Sequence, residues 1–252
     1  MMISRSTVLT HRSKEIIVKT KRTTALGASA LAIVAAAALG AGPAFASSGS
    51  AAGGGDTPPR TVTLSAELTE LNDSGASGSA TATVKHRKIR HIEVHAEGLT
   101  PDAPHAQHIH YGEQALNECP TIELDSNGDG RLNTVEGVPA YGPVVVSLTT
   151  EGDTTPASFL DVTRFPVSEA GRVDYSRDKI RITEVAGTGY EGGTGTAKDI
   201  AEAIRSGEGV VVIHGVDYNG NGVYDFESAG ASELDPSLPA EATDPAACGL
   251  LH

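Results

Sequence analysis

The stretch HAQHIHYGEQALNEC, residues 105–119, sets His108 and His110 two positions apart and Cys119 nine positions further on. In an extended strand alternate side chains share a face, so the two imidazoles project together while Ile109 turns the other way, towards a core. Two imidazoles on one face form a metal-ligand arrangement; a pair of surface histidines on a half-buried strand is the bland alternative. A third histidine, His214, ends the apolar run VVVIHG, residues 210–215. There Val212 and His214 share one face and Val211 and Ile213 the other, so His214 can leave the core side. His91 and His95 share a strand face with Glu93 and read as solvated surface, and His86 lies in the basic turn KHRKIR. His105, just ahead of the HxH strand, admits either reading.

A second chemistry is carried by DSNGDGRLNTVE, residues 125–136. Asp125, Asn127 and Asp129 fall on positions 1, 3 and 5 of a calcium loop. Gly130 permits the sharp turn, Arg131 offers its carbonyl, Asn133 follows, and Glu136 occupies the bidentate position 12. No helical pattern flanks the stretch, which leaves a polar Asp/Asn/Gly turn as the alternative. DYNGNGVYDFES, from Asp217, repeats the beginning of the pattern with Asp217, Asn219, Asn221 and Asp225 but carries Ser228 at position 12. It is a weaker calcium candidate, or a structured turn beside His214.

The chain opens with an expected export signal over residues 1–46. Arg5, Arg12, Lys14, Lys19, Lys21 and Arg22 precede an Ala/Leu/Val run over residues 25–39, and Ala44, Phe45 and Ala46 supply the small-x-small cleavage pattern. The run is short for a bilayer span, so no membrane attachment is expected after cleavage. The expected location is extracytoplasmic, by a bacterial type of secretion. Cleavage takes the net charge from −13 to −18, because six basic side chains and Glu15 leave with the signal. So acidic a surface repels nucleic acid and anionic lipid and favours cations. Two thiols in an exported chain, Cys119 and Cys248, most simply pair with each other.

Positioning these groups falls to short strands. Residues 47–60, SSGSAAGGGDTPPR, read as a flexible tether, and residues 61–252 as one domain. Aromatics make up 4% and tryptophan is absent, so Val, Ile, Leu and Ala must build the core. Val62, Leu64 and Ala66 alternate with polar neighbours, as do Ile92, Val94 and Ala96. Further strands are expected at 80–86, 106–112, 142–150, 157–165, 172–183 and 210–215. Many short strands separated by Gly, Asp and Pro indicate an all-β antiparallel sandwich or barrel. One segment differs. Thr196, then AKDIAEAIRS, then Gly207 reads as a short helix capped at both ends, inserted before the strand that bears His214.

Taken in order, these pieces resemble the Cu/Zn superoxide dismutase superfamily. EGLTPDAPHAQHIHYGEQALNEC looks like that family's HxH copper strand and first cysteine, VVVIHG like its late copper strand, and PAACGLL like its closing A-C-G motif. The resemblance runs from about Ser65 to Leu251. It implies a Greek-key β-barrel of about eight antiparallel strands, copper on His108, His110 and His214, and a Cys119–Cys248 disulfide. HIHxG followed by GPVVVSL also resembles CHRD domains, secreted β modules without an established catalytic site. The departures are specific. Between Cys119 and Val144 there is no histidine, so no zinc site and no bridging ligand is recognised. Pro245 stands where the family has the arginine that guides superoxide.

Three functions compete: an enzyme dismuting superoxide on copper, a module binding copper or zinc without turnover, and a structural domain held by calcium and the disulfide. The expectation is an exported, superoxide dismutase-like metal-binding protein. The alternative is a non-catalytic CHRD-like secreted β domain stabilised by calcium and a disulfide. The missing arginine and bridging histidine weigh against efficient dismutation.

Overall fold

Leu64, Ala66 and Leu68 are buried while Ser65, Glu67 and Thr69 are exposed, the alternation expected of a strand with one wet face. The computed structural model describes residues 60–185 and 195–252. The expected signal, and the tether except Arg60, lie outside the described residues. Eight strands are present: β1 (Val62–Glu70), β2 (Ser77–Lys85), β3 (Lys88–Glu97), β4 (Gln107–His110), β5 (Val144–Ser147), β6 (Val173–Arg181), β7 (Val210–His214) and β8 (Pro245–Leu250). They form one curled antiparallel sheet in the order β5-β4-β7-β8-β1-β2-β3-β6. The chain crosses from β3 to β4 at the far side of the sheet and returns from β5 to lay β6 beside β3, a Greek-key path. Ala82, Ile92 and Val94 meet Ile109, Val211 and Ile213 in the core that the curl encloses.

No ladder joins the edge strands β5 and β6 among the described residues. Side chains tie them instead. The Tyr175 hydroxyl of β6 donates to the Thr149 carbonyl just past β5 (3.1 Å), and Arg177 donates to the carbonyls of Thr149 and Gly152. The fold is therefore all-β, an eight-stranded half-barrel with few short helices.

The helix α2 (Ala197–Ser206) forms as its caps dictate: Thr196 and Asp199 make a reciprocal capping box, and Gly207 closes it in the left-handed region. Ile200 and Ile204, one turn apart, are both buried. Two other helices were not expected. In α1 (Thr134–Tyr141), Asn133 caps the Glu136 amide and Glu136 reaches back to the Asn133 amide, which overrides the helix-weakening Gly137 and Pro139. A single turn, α3 (Ala240–Thr243), precedes β8. Residues 157–165, expected as a strand, instead form 3-10 turns at Pro156–Ser158 and Val162–Arg164. Their polar groups bond locally: Asp153 accepts from Thr155 and Ser158, and Asp161 pairs with Arg164 three residues on at 2.7 Å. Such short-range bonds compete with a ladder.

Cys119 and Cys248 are bridged, with their Cα atoms 5.7 Å apart. The bond fastens the long β4–α1 connection to the middle of β8.

Candidate metal centre

On β4 and β7 no residue reaches solvent. Their inner-face side chains enter the core, while the opposite face carries the histidines. Register places His108 beside Val212 and His110 beside Val210. Bulges at Ile109/His110 and Ile213/His214 adjust where the rings point. His108, His110 and His214 converge so that one ligand atom from each lies within 4.8 Å of the others. An ion at about 2.0–2.1 Å from each nitrogen would hold them about 3.5 Å apart, a closure of at most about 1.3 Å. Among the described residues, no other group of three His, Cys, Asp or Glu comes this close.

The histidines were expected on the outer wall of the barrel, and they are on that face, but it is not open. Their exposures are 3%, 1% and 3%. The 3-10 turns contribute Phe159, Leu160 and Val162, α1 contributes Thr134, and the segment leading into β8 contributes Leu234, Ala242 and Thr243. Phe165 meets His108 edge-on at 5.2 Å, and Tyr141 tilts over His110 at 4.5 Å. What remains between them is a cavity of about 20 Å³, room for a single ion or water.

Each ring is oriented by a backbone carbonyl. His108 Nε2–H donates to Phe159 (3.1 Å), His110 Nδ1–H to Gly142 (2.8 Å) and His214 Nδ1–H to Thr243 (2.7 Å). A carbonyl only accepts, so these nitrogens carry the protons, and the other nitrogen of each neutral ring keeps its lone pair. Those three atoms, His108 Nδ1, His110 Nε2 and His214 Nε2, are buried and have no hydrogen-bond partner. A ring held through one nitrogen while the other stays unpaired is the arrangement in which histidine ligates metals. The donor set therefore fits a transition metal.

Two glycines make this geometry possible. Gly142, at φ +81°, directs its carbonyl at His110, and a Cβ there would lie 2.5 Å from the Gly112 nitrogen. Gly215, at φ +111°, follows His214, and a Cβ there would lie 2.2 Å from the Tyr224 hydroxyl.

Burial favours the uncharged imidazole. It pushes His110 down to about 3 and His214 to about 4, and it holds His108 well below the usual range, with the neighbouring rings adding to the effect. His105, which sequence left open, is not in the group. Its ring nitrogens lie 2.9 Å from the His214 carbonyl and 3.1 Å from that of Thr100, so it braces the end of β7. His95 is exposed and His91 half-buried, and they pair with Asp174 and Asp178 at 2.7 Å each.

The expected calcium residues lie apart from this centre. Asp125 accepts from the amides of Gly128 and Gly130, which hold its carboxyl below the usual range, the Gly130 bond foremost. Glu136 turns into the loop and accepts from the amides of Ser126 and Asn127. Asn127 accepts from the Asp129 amide. Asp129 is taken by Arg131 (2.7 Å), whose other arm reaches Asp244, and the Asn133 side chain is committed to the α1 cap. The loop is flanked after all, by a 3-10 turn at Ile122–Leu124 and by α1. In the second loop Asp217 accepts from Gly220 and Gly222, Asn219 accepts from Asn221, and Asn221 donates to Asp225. The carboxylate missing at Ser228 is supplied from α3. The fully buried Glu241 accepts from the Tyr218 and Asp225 amides and the Ser228 hydroxyl. Glu241 lies thirteen residues beyond Ser228, so no spacing rule marks it.

A family model for the CHRD domain matches residues 60–223. The chain belongs to the CHRD domain family. The match covers β1 through β7 and all three histidines of the centre, and it ends before Glu241 and Cys248. No curated protein matches the chain. Of the two resemblances read from sequence, the CHRD domain is the one the comparisons support.

Proposed function

We propose that this CHRD domain is an extracytoplasmic protein that binds a transition metal, copper by its donor set, on His108, His110 and His214. The observations that carry the reading are the convergence of three buried rings, one nitrogen of each within 4.8 Å of the others, and the unpartnered nitrogen that each ring keeps while its other nitrogen is held by a carbonyl. Imidazole suits copper and zinc alike, and the resemblance carried by the histidine strands favours copper. The disulfide supports an oxidising location. The superoxide dismutase resemblance adds a possible redox chemistry at that ion, but the apolar cap and the lack of a cationic side chain around the cavity favour holding the ion without turnover. Elemental analysis after copper loading and desalting tests the reading: about one copper per chain is expected, falling sharply in His110→Ala. Equal copper in parent and variant would sink it. A superoxide decay assay on the loaded protein should show little activity.

We also propose that the 125–136 loop takes calcium. The specific support is the helix α1 leaving the loop and the Glu136 carboxylate already turned inward across it. Calcium should raise the melting temperature in proportion to the logarithm of its concentration, and Glu136→Gln should abolish the rise. A melting curve unmoved by calcium or chelator would leave only a polar turn.

A further inference from the structure

We infer that the three-histidine centre selects a monovalent soft cation, Cu(I), over Zn(II) and Cu(II). This rests on the proposed metal-binding role and names the ion class the site would take. Three observations lead to it. The first is charge. The side chains lining the cavity, from Ala106, Val144, Phe159, Leu160, Val162, Leu234 and Ala242 to the hydroxyls of Thr134 and Thr243, include no carboxylate and no cation. The three ligands are neutral rings, each donating its one proton to a carbonyl. An ion entering brings its full charge into a buried site with no counter-charge on the walls. The cost of burying charge grows with its square, so a dication pays about four times what a monocation does.

The second observation is space. A cavity of about 20 Å³ holds roughly one water-sized body, so an ion seated in it leaves little volume for a further ligand. Zn(II) takes four ligands in nearly all protein sites, and Cu(II) prefers a tetragonal set. Three nitrogens and little room for a fourth ligand suit neither well, whereas a monovalent d¹⁰ ion is content with three.

The third is the disposition of nearby acids. Asp244 and Glu241 flank the pocket-lining Ala242 and Thr243 in sequence, yet their carboxylates turn elsewhere. Asp244 goes to Arg131 and Tyr218, and Glu241 to the 217–228 loop. The acidity of the chain as a whole therefore does not extend to the walls of this cavity.

The test loads the purified protein separately with Cu(I) under anaerobic ascorbate, with Ag(I) in chloride-free buffer as a redox-inert monocation, with Zn(II) and with Cu(II). It then measures retained metal per chain against a graded chelator for each ion. Cu(I) and Ag(I) are expected at one per chain, with affinities at least tenfold above those for Zn(II) and Cu(II). Leu160→Asp, which adds a carboxylate to the cavity wall, should shift the ratio towards Zn(II) by tenfold or more. Zn(II) or Cu(II) bound as tightly as Cu(I) by the parent, and lost in His110→Ala, would overturn the charge selection while leaving the metal centre standing. Failure of every ion to bind would overturn the centre and the selection together. The parent comparison decides the matter even if the Leu160 variant does not fold.

Discussion

One sheet carries spaced histidines on two of its strands and treats them in opposite ways. On β3, His91 and His95 face solvent, with side chains 44% and 57% exposed, and each meets a carboxylate across the strand pair with β6. On β4, His108 and His110 lie beneath turns and helices, where they bond to carbonyls and pack on aromatic rings, apolar side chains and each other. Hydrogen bonds to the carboxylates of Asp178 and then Glu93 raise the affinity of His91 for its proton, whereas burial lowers that of His108 and His110. A trough of about 490 Å³ runs beside His95, far roomier than the cavity at His108, yet it gathers no trio of ligands. Histidine spacing on a strand gives a shared face. Cover over that face, and what lines the cover, decides whether the rings converge as a buried donor set or remain a solvated surface.

The cover is the part that can be broken. The largest effect is expected from the disulfide, because Cys248 is fully buried in β8 and its bond anchors the connection that leads into α1 and hence Thr134. It closes a loop of 129 residues, which in the chain-entropy view is worth about 4–5 kcal/mol. Replacing both cysteines by serine should lower the melting temperature more than any histidine substitution and should reduce metal retention with it. A double variant that melts like the parent would mean that the cover holds without the bond.

A smaller effect, opposite in sign for the buried trio and for His91, should follow pH. A ring whose proton affinity is lowered by folding is more readily protonated in the unfolded chain, so protonation drives unfolding. The metal-free protein should therefore lose stability as pH falls below about 6.5, the ordinary histidine value, and the losses should level off near about 4 for His214 and about 3 for His110. Melting temperatures measured from pH 7 to 4 check this, and His110→Gln should flatten the slope. The metal-bound protein should fall more steeply, because protons compete with the ion for the same nitrogens. A metal-free melting temperature independent of pH in this range would mean that the rings are wet.

The strands and the placement of His108, His110 and His214 were legible because alternation is a local property: Val211 and Ile213 do enter the core, as their spacing requires. The helix α2 was legible for the same reason, since both its caps lie within its own segment. The cover was not. Leu160 and Val162 alternate with Asp161 and Thr163 well enough to read as a strand, and only the local bonds around them, from Ser158 to Asp153 and from Arg164 to Asp161 and Ser158, with no neighbouring ladder, make this segment turns. Helix α1 is hidden by Gly137 and Pro139, and its existence turns on a capping box inside what otherwise reads as a calcium loop. Thr243, which orients His214, and Glu241, which completes the second loop, act from far along the chain. Sequence periodicity sees the faces of elements. It does not see which remote segment comes to lie on them.

The smallest effect concerns the exposed set. His91 gains proton affinity on folding, so its contribution has the opposite sign: it is fully present below about 6.5 and is lost as pH rises through its raised value. Because the ring and its carboxylate partners are in solvent, the pairing is screened and the change in melting temperature should be slight. His91→Ala and His95→Ala should also leave metal per chain unchanged, since neither ring has an unpartnered buried nitrogen to offer. Measured beside His110→Ala under identical loading, they separate a covered ligand from a solvated histidine of similar spacing. Loss of metal in the His91 or His95 variant would show that cover is not what distinguishes the two strands.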